Sequence, residues 1–226
     1  MRWLKLIRLA PMVPLAYIQG KKETSQQESY KQCHIWSKRI LKGLGYRLKV
    51  EGFENLKEKE GLYFVCNHQG TLDPVLIVAA FNQPIRFVSK LENADIPLLG
   101  MWAKKIGCIH FDRNSREGNI SMLRQTMRAL KRKENVLIFP EGTRSKKDEM
   151  NPFMDKALQP AIKTKSNIVP ISISHSYVLD NYIYKGKDLK IVFGEAITPE
   201  TYKDMNLEEL SSSIQTWISS KIEKCM

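Results

Sequence analysis

The stretch Gly61 to Pro74, GLYFVCNHQGTLDP, constrains the fold more than any other part of this chain. Leu62, Tyr63, Phe64, Val65 and Cys66 form an unbroken apolar run after a glycine, the pattern of a strand covered on both faces. The run ends abruptly in Asn67, His68, Gln69, Gly70 and Thr71, and Asp73-Pro74 opens a second apolar run, Val75 to Phe81. Aspartate at the N-cap with proline at N1 marks a helix start, so His68 falls on a strand-to-helix turn. Such turns lie at the carboxyl ends of strands, where open α/β sheets hold their ligands.

His68 and Asp73 are five positions apart. Along a regular helix that spacing rotates two side chains apart by roughly 140°. A turn feeding a helix instead folds the carboxylate back towards an imidazole nitrogen. A carboxylate so placed fixes the tautomer and stabilises the imidazolium, leaving the other nitrogen to take a proton. The alternative makes Asp73 a helix cap alone and His68 a polar turn residue, and spacing does not choose between them.

A second stretch does. Asn135 to Phe139, NVLIF, is another short apolar strand, and it runs into Pro140-Glu141-Gly142-Thr143-Arg144-Ser145. Together, NHQGTLD and FPEGTRS resemble the glycerolipid acyltransferase family, in particular the 1-acylglycerol-3-phosphate acyltransferases. Two further blocks resemble the family in the right order: Gly107-Cys108-Ile109-His110-Phe111-Asp112-Arg113, and Ile168-Val169-Pro170-Ile171. The resemblance extends from about Tyr46 to Phe193.

It implies an α/β fold, with a mostly parallel central sheet flanked by helices, behind an N-terminal membrane-associating helical segment. Residues 1–44 are expected to form that segment and residues 45–226 the catalytic domain. The implied reaction moves a fatty acyl chain from an acyl thioester, acyl-CoA or acyl-carrier protein, to the free hydroxyl of 1-acylglycerol-3-phosphate, giving phosphatidic acid. Rival readings are acylation of another lysophospholipid or of glycerol-3-phosphate, and a non-catalytic basic protein binding membranes or nucleic acid.

Acyl transfer to a hydroxyl needs a base, donors for the developing oxyanion and an anchor for the acceptor. His68 is the candidate base and Asp73 its orienting partner. Arg113 and Arg144 each follow a strand, and a guanidinium fork matches phosphate bidentately. Gly142 lets backbone amides approach an anion, and Thr143 adds a hydroxyl. Glu141 either hydrogen-bonds the acceptor hydroxyl or holds an arginine. Lys90 matches a basic position common in the family, although a solvated lysine is the more usual fate of such a residue. No GxSxG elbow is present, and Cys66 lies inside an apolar strand, so direct attack on the thioester is expected rather than an acyl-enzyme. His34, His110 and His175 lack metal-ligand spacing, so neither a metal nor a cofactor beyond the acyl donor is expected.

The sequence departs from the family in two places. Where a Phe-Lys-x-Gly pattern is common it has Phe153-Met154-Asp155-Lys156-Ala157, and Pro160 is expected to interrupt the next helix. Gly70 stands where serine is more frequent.

A formal charge of +12 and a pI near 9.5 imply an anionic partner: a phosphate substrate, an anionic lipid surface, nucleic acid or an acidic carrier. With the family blocks in place, a membrane surface is expected and nucleic acid is not. Four scattered cysteines without a CxxC pair suit a reducing cytoplasm. The opening MRWLKLIRLAPMVPLAYIQ is too short, too charged and too proline-broken to span a bilayer, and reads as an interfacial segment. The expected location is therefore the cytoplasmic face of a membrane, peripheral or monotopic. From Gln27 to Leu44 a stripe of Cys33, Trp36, Ile40 and Leu44 predicts a helix facing either the core or the membrane, with family precedent leaning to the membrane. Further strands are expected at Tyr46 to Val50, Ile85 to Ser89, Cys108 to Phe111, Ile168 to Ser174 and Leu189 to Phe193. Amphipathic helices are expected along Ile120, Leu123, Met127 and Leu130, and along Leu207, Leu210, Ile214, Trp217 and Ile218.

Overall fold

The structure is a computed structural model and describes residues 10–56, 60–180 and 188–224. Trp3, Leu4, Leu6, Ile7 and Leu9, with Arg2, Lys5 and Arg8, lie outside the described residues.

In chain order the elements are α1 (Met12–Lys21), α2 (Gln26–Leu44), β1 (Leu48–Glu51), β2 (Tyr63–Cys66), α3 (Asp73–Ala80), β3 (Ile85–Lys90), α4 (Leu99–Lys105), β4 (Ile109–Phe111) and α5 (Arg116–Lys131). They continue with β5 (Asn135–Ile138), α6 (Gln159–Thr164), β6 (Ile168–Ser174), β7 (Leu189–Phe193), α7 (Pro199–Tyr202) and α8 (Leu207–Lys221). The strands form one sheet in the order β1-β7-β6-β2-β5-β3-β4, and every pairing is parallel except β6 with β7. Every residue of β2, β5 and β6 is buried, as expected of central strands covered on both faces.

Side chains alternate between two cores. Phe64, Leu137, Val169 and Ile171 face Tyr30, Leu41 and Leu44 of α2 and Leu76 and Ile77 of α3. Tyr63, Val65, Val136 and Ile138 face the other way, onto Met122, Ala129 and Leu130 of α5 and Leu210, Ile214 and Ile218 of α8. The helix reading of α5 was right, but its buried side is rotated. Met122, Thr126, Ala129 and Leu130 point inwards, while Ile120 stays exposed.

The apolar stripe of α2 faces protein. Cys33 and Ile40 pack on the first core beside Tyr30, Leu41 and Leu44, and Trp36 joins Ala16 and Trp102 in a smaller cluster. Burying a large apolar side chain contributes about 1.5–3 kcal/mol, so this stripe is committed to packing within the fold. Ser25 caps the helix by accepting the Glu28 N–H at 3.1 Å, and Gly45 ends it at φ +79°.

α1 packs differently. Pro11 immediately precedes it and Pro14 falls in its first turn, where the missing N–H has no partner to lose. The inner face is pinned by Trp36 Nε1 donating to Gln19 Oε1 at 2.8 Å and Trp102 Nε1 donating to the Ala16 carbonyl at 3.2 Å. The outer face leaves Val13, Leu15, Tyr17 and Ile18 at least half exposed. No described helix is long and apolar enough to cross a membrane.

Two local expectations are corrected. Asp73 is the first residue of α3, with Leu72 at the cap position, and its carboxylate is used elsewhere. Pro160 sits in the first turn of α6 and starts that helix rather than interrupting one.

Candidate active site

At the carboxyl end of β2 the chain turns through 67–72 into α3. Asp73, fully buried, turns one oxygen back onto the turn. Its Oδ2 accepts His68 Nδ1 at 2.7 Å, the Gln69 N–H at 2.8 Å and the Gly70 N–H at 3.0 Å. Three donors thus converge on this one buried oxygen. With Nδ1 donating to Asp73, Nε2 is the imidazole atom that can accept a proton. The ring lies flat on Phe139, with centroids 4.2 Å apart and an interplanar angle of 20°, and keeps about a fifth of its surface open.

The loop after β5 locks onto this turn. Ser145 N–H donates to the His68 carbonyl at 2.8 Å and Lys146 N–H to the Gln69 carbonyl at 3.2 Å. Glu141 is buried and bridges two backbones: Oε1 accepts the His68 N–H at 2.6 Å and Oε2 the Asn151 N–H at 2.8 Å. Burial pushes its carboxyl up, and those two bonds only partly offset the shift. Both options left open for Glu141 by the sequence involved another group, yet each of its oxygens is engaged by main chain.

The two arginines reach the same loops from outside. Arg113 Nη1 donates to the Gly142 carbonyl at 2.9 Å, and Arg144 Nη1 donates to Thr71 Oγ1. Thr71 N–H in turn meets both oxygens of Asp180 at 3.1 Å. Both guanidiniums are exposed, so their remaining donors face solvent beside the His68 opening. Gly142 adopts φ +65°, and Thr143 is exposed next to it. Lys90 ends β3, half-buried; among the described residues no hydrogen bond or ion pair ties its ammonium to this group.

Three positioning residues escaped the sequence reading. Asn67 extends the ladder with its side chain: Oδ1 accepts the Ile173 N–H at 2.7 Å and Nδ2 donates to the Ile173 carbonyl at 2.9 Å. Gln69 Oε1 accepts the Ser176 N–H at 3.2 Å, and Phe139 supplies the surface under His68. The available signal was a polar pair directly after a fully buried strand, because polar groups there require partners.

The departures from the family pattern have physical explanations. A Cβ at Gly70 would lie 2.8 Å from the Ser176 carbonyl oxygen and 3.1 Å from Tyr177 Cα, so this turn has no room for serine. Met154 N–H donates to the Pro140 carbonyl at 3.0 Å, and the Met154 side chain lies over Gly142. Ala157 is held by the Tyr63 hydroxyl, which donates to its carbonyl at 2.5 Å. Burial pushes the Cys66 thiol well above its usual range, with the charges of Asp73 and Glu141 adding to the effect, so it is no thiolate at neutral pH.

A buried carboxylate, an oriented imidazole and two outward guanidiniums are the parts needed to deprotonate a hydroxyl beside an anionic group. The acyltransferase family model matches residues 47–174, and the chain belongs to that family. It is 32% identical over 129 residues to the chloroplastic 1-acyl-sn-glycerol-3-phosphate acyltransferase of Arabidopsis thaliana, covering 57% of this chain and 36% of that protein. The chain thus spans about a third of the plastid relative. A probable 1-acyl-sn-glycerol-3-phosphate acyltransferase of Mycoplasma pneumoniae is 24% identical, over 97% of this chain and 92% of its own. The crystal structure of the 1-acyl-sn-glycerophosphate acyltransferase of Thermotoga maritima shares the fold at a TM-score of 0.79, with 24% identity, 97% of this chain and 95% of that one covered.

Proposed function

We propose that this protein transfers a fatty acyl group from a thioester to the free hydroxyl of 1-acylglycerol-3-phosphate, forming phosphatidic acid. The observation that carries the reading is the 2.7 Å bond between His68 Nδ1 and the buried Asp73 Oδ2, at a turn flanked by Arg113 and Arg144. His68 Nε2 takes the hydroxyl proton as the acceptor oxygen attacks the thioester carbonyl. The new C–O bond forms, the C–S bond breaks, and the leaving thiolate takes the proton from the imidazolium. Asp73 holds the ring and stabilises its charged form during the exchange. Arg113 and Arg144 hold the acceptor phosphate, with Gly142 and Thr143 lining the loop between them. Lys90 is assigned to the outer edge of that phosphate region on resemblance alone.

The acceptor is a lipid, so the site works at a bilayer surface. The outward apolar face of α1, with Lys21 and Lys22 beside it, suits one leaflet of an anionic membrane. Free cysteines at positions 33, 66 and 108 agree with its cytoplasmic face.

The test offers purified protein palmitoyl-CoA and palmitoyl-loaded carrier protein with a panel of lysophospholipids and glycerol-3-phosphate, with products identified by mass spectrometry. Phosphatidic acid from 1-acylglycerol-3-phosphate is expected as the main product. Preferential acylation of a lysolipid with a capped phosphate, or of glycerol-3-phosphate, would overturn the acceptor assignment.

A further inference from the structure

The face of the sheet opposite α1 and α2 carries a surface of another character. α5 begins three residues after Arg113, at the rim of the candidate site, and runs back along the outside of the sheet. Arg116, Arg124 and Arg128 are exposed at spacings of eight and four, which sets them on one inclined ridge that winds about a third of the way round the helix, and Lys131 follows in the last turn. α6 packs against α5 and adds exposed Lys163. Together the two helices contain five basic residues and one acidic residue, Glu117. Among the described residues none of those five basic side chains is in an ion pair. Ile120 stands exposed within the ridge.

The extent and position of this surface limit what it fits. From Arg116 to Arg128 the helix rises about 18 Å, more than one phosphate group reaches. A bilayer is better served across the sheet, where the exposed apolar face of α1 lies. A basic row around an exposed apolar side chain suits an acidic protein surface, because charge complementarity steers encounter and sets orientation.

We propose that the α5–α6 face docks a small acidic protein bearing the acyl group as a thioester. This rests on the acyl-transfer reading above and names its donor. The carrier sits along the arginine ridge, and its thioester arm passes over the first turn of α5 to reach His68. When the acceptor oxygen displaces the carrier's thiol, that thiol leaves with the proton from His68 and the carrier departs from the same face.

The experiment compares Arg124→Glu/Arg128→Glu with wild type and with Lys31→Glu/Lys38→Glu, which makes the same charge change at exposed positions of α2. Steady-state kinetics use palmitoyl-loaded acyl-carrier protein and palmitoyl-CoA in parallel, and calorimetry measures carrier binding without turnover. The expected result is a KM for the loaded carrier raised at least about tenfold by the α5 variant alone, with palmitoyl-CoA kinetics within about twofold. Wild-type carrier binding should weaken with added salt. Equal losses with both donors, or no binding of carrier by wild type, would overturn the proposal. So would a variant whose only defect is reduced vesicle sedimentation, because that would make the stripe a membrane contact. If wild type uses neither donor while the α5 variant alone loses carrier binding, the acyl-transfer reading fails and the docking surface stands.

Discussion

Glu141 grips His68 by its backbone: Oε1 accepts the His68 N–H at 2.6 Å, while Oε2 holds the Asn151 N–H at 2.8 Å. A residue used this way positions the proposed base and leaves substrate affinity to others. Glu141→Ala should therefore lower kcat by about a hundredfold, the scale of a small misplacement of reacting groups, with acceptor KM nearly unchanged. Steady-state kinetics check this, and a large rise in acceptor KM with kcat preserved would make Glu141 a substrate ligand. Its raised carboxyl also predicts a pH dependence. The folded state holds this proton more tightly than the unfolded chain. Its contribution to stability is therefore greatest below the ordinary glutamate value and declines as pH rises through the shifted one. The melting temperature of wild type relative to Glu141→Gln should fall across that window.

His68→Ala should lose at least about two orders of magnitude in turnover and keep its fold, because the ring is an open-edged side chain stacked on Phe139. Asp73→Asn should lose a similar factor and also destabilise the protein by roughly 1–3 kcal/mol, since three N–H groups converge on one buried oxygen. Turnover and thermal melts together distinguish the two variants. Near-normal turnover by folded His68→Ala would sink the mechanism.

Arg144→Ala and Arg113→Ala should each raise acceptor KM by about tenfold to a hundredfold, the scale of a lost charged hydrogen bond, with donor KM little changed. The readout is discrimination between 1-acylglycerol-3-phosphate and its dephosphorylated counterpart. Variants that discriminate as well as wild type would remove the arginines from the phosphate site.

Restoring the more frequent family residue should do harm. Gly70→Ser puts a side chain 2.8 Å from the Ser176 carbonyl oxygen, so about 1–3 kcal/mol of stability should be lost to overpacking. Thermal or urea melts measure it, and an unchanged melting temperature would show that residues 176–177 yield freely.

Leu15→Glu/Ile18→Glu alters only the exposed face of α1 and leaves the Trp36 and Trp102 contacts in place. Most of the protein should leave anionic vesicles, and activity on vesicle-borne acceptor should fall while activity on micellar acceptor persists. High salt should weaken wild-type binding only partly, because apolar burial is not screened. Unchanged co-sedimentation would move the membrane contact elsewhere.

Much of the sheet was readable because a strand buried on both faces must be written as a continuous apolar run, and β2, β5 and β6 are. The pairing of His68 with Asp73 was readable only with FPEGTRS beside NHQGTLD, because their spacing alone serves a helix cap and a polar turn equally well. The face of α2 was not: a stripe of Cys33, Trp36, Ile40 and Leu44 serves a core or a leaflet equally well, and only its neighbours decide. Nor was the rotation of α5, whose inward side includes Thr126 and leaves out Ile120. The role of Glu141 was hidden for a different reason. Its partners are backbone N–H groups, which every residue but proline carries and no sequence pattern marks.

The turn carrying His68 is tied to chain that follows far behind it: Glu141 lies 73 residues on, Ile173 106 from Asn67, and Asp180 109 from Thr71. A ribosome adding about 5–20 residues per second needs roughly 5–20 s to cover such a gap. Throughout that interval the nascent protein carries its histidine and aspartate without the struts that aim them. A fragment cut off before Ile173 therefore lacks two of these three supports, and the proposed acyl transfer waits for them.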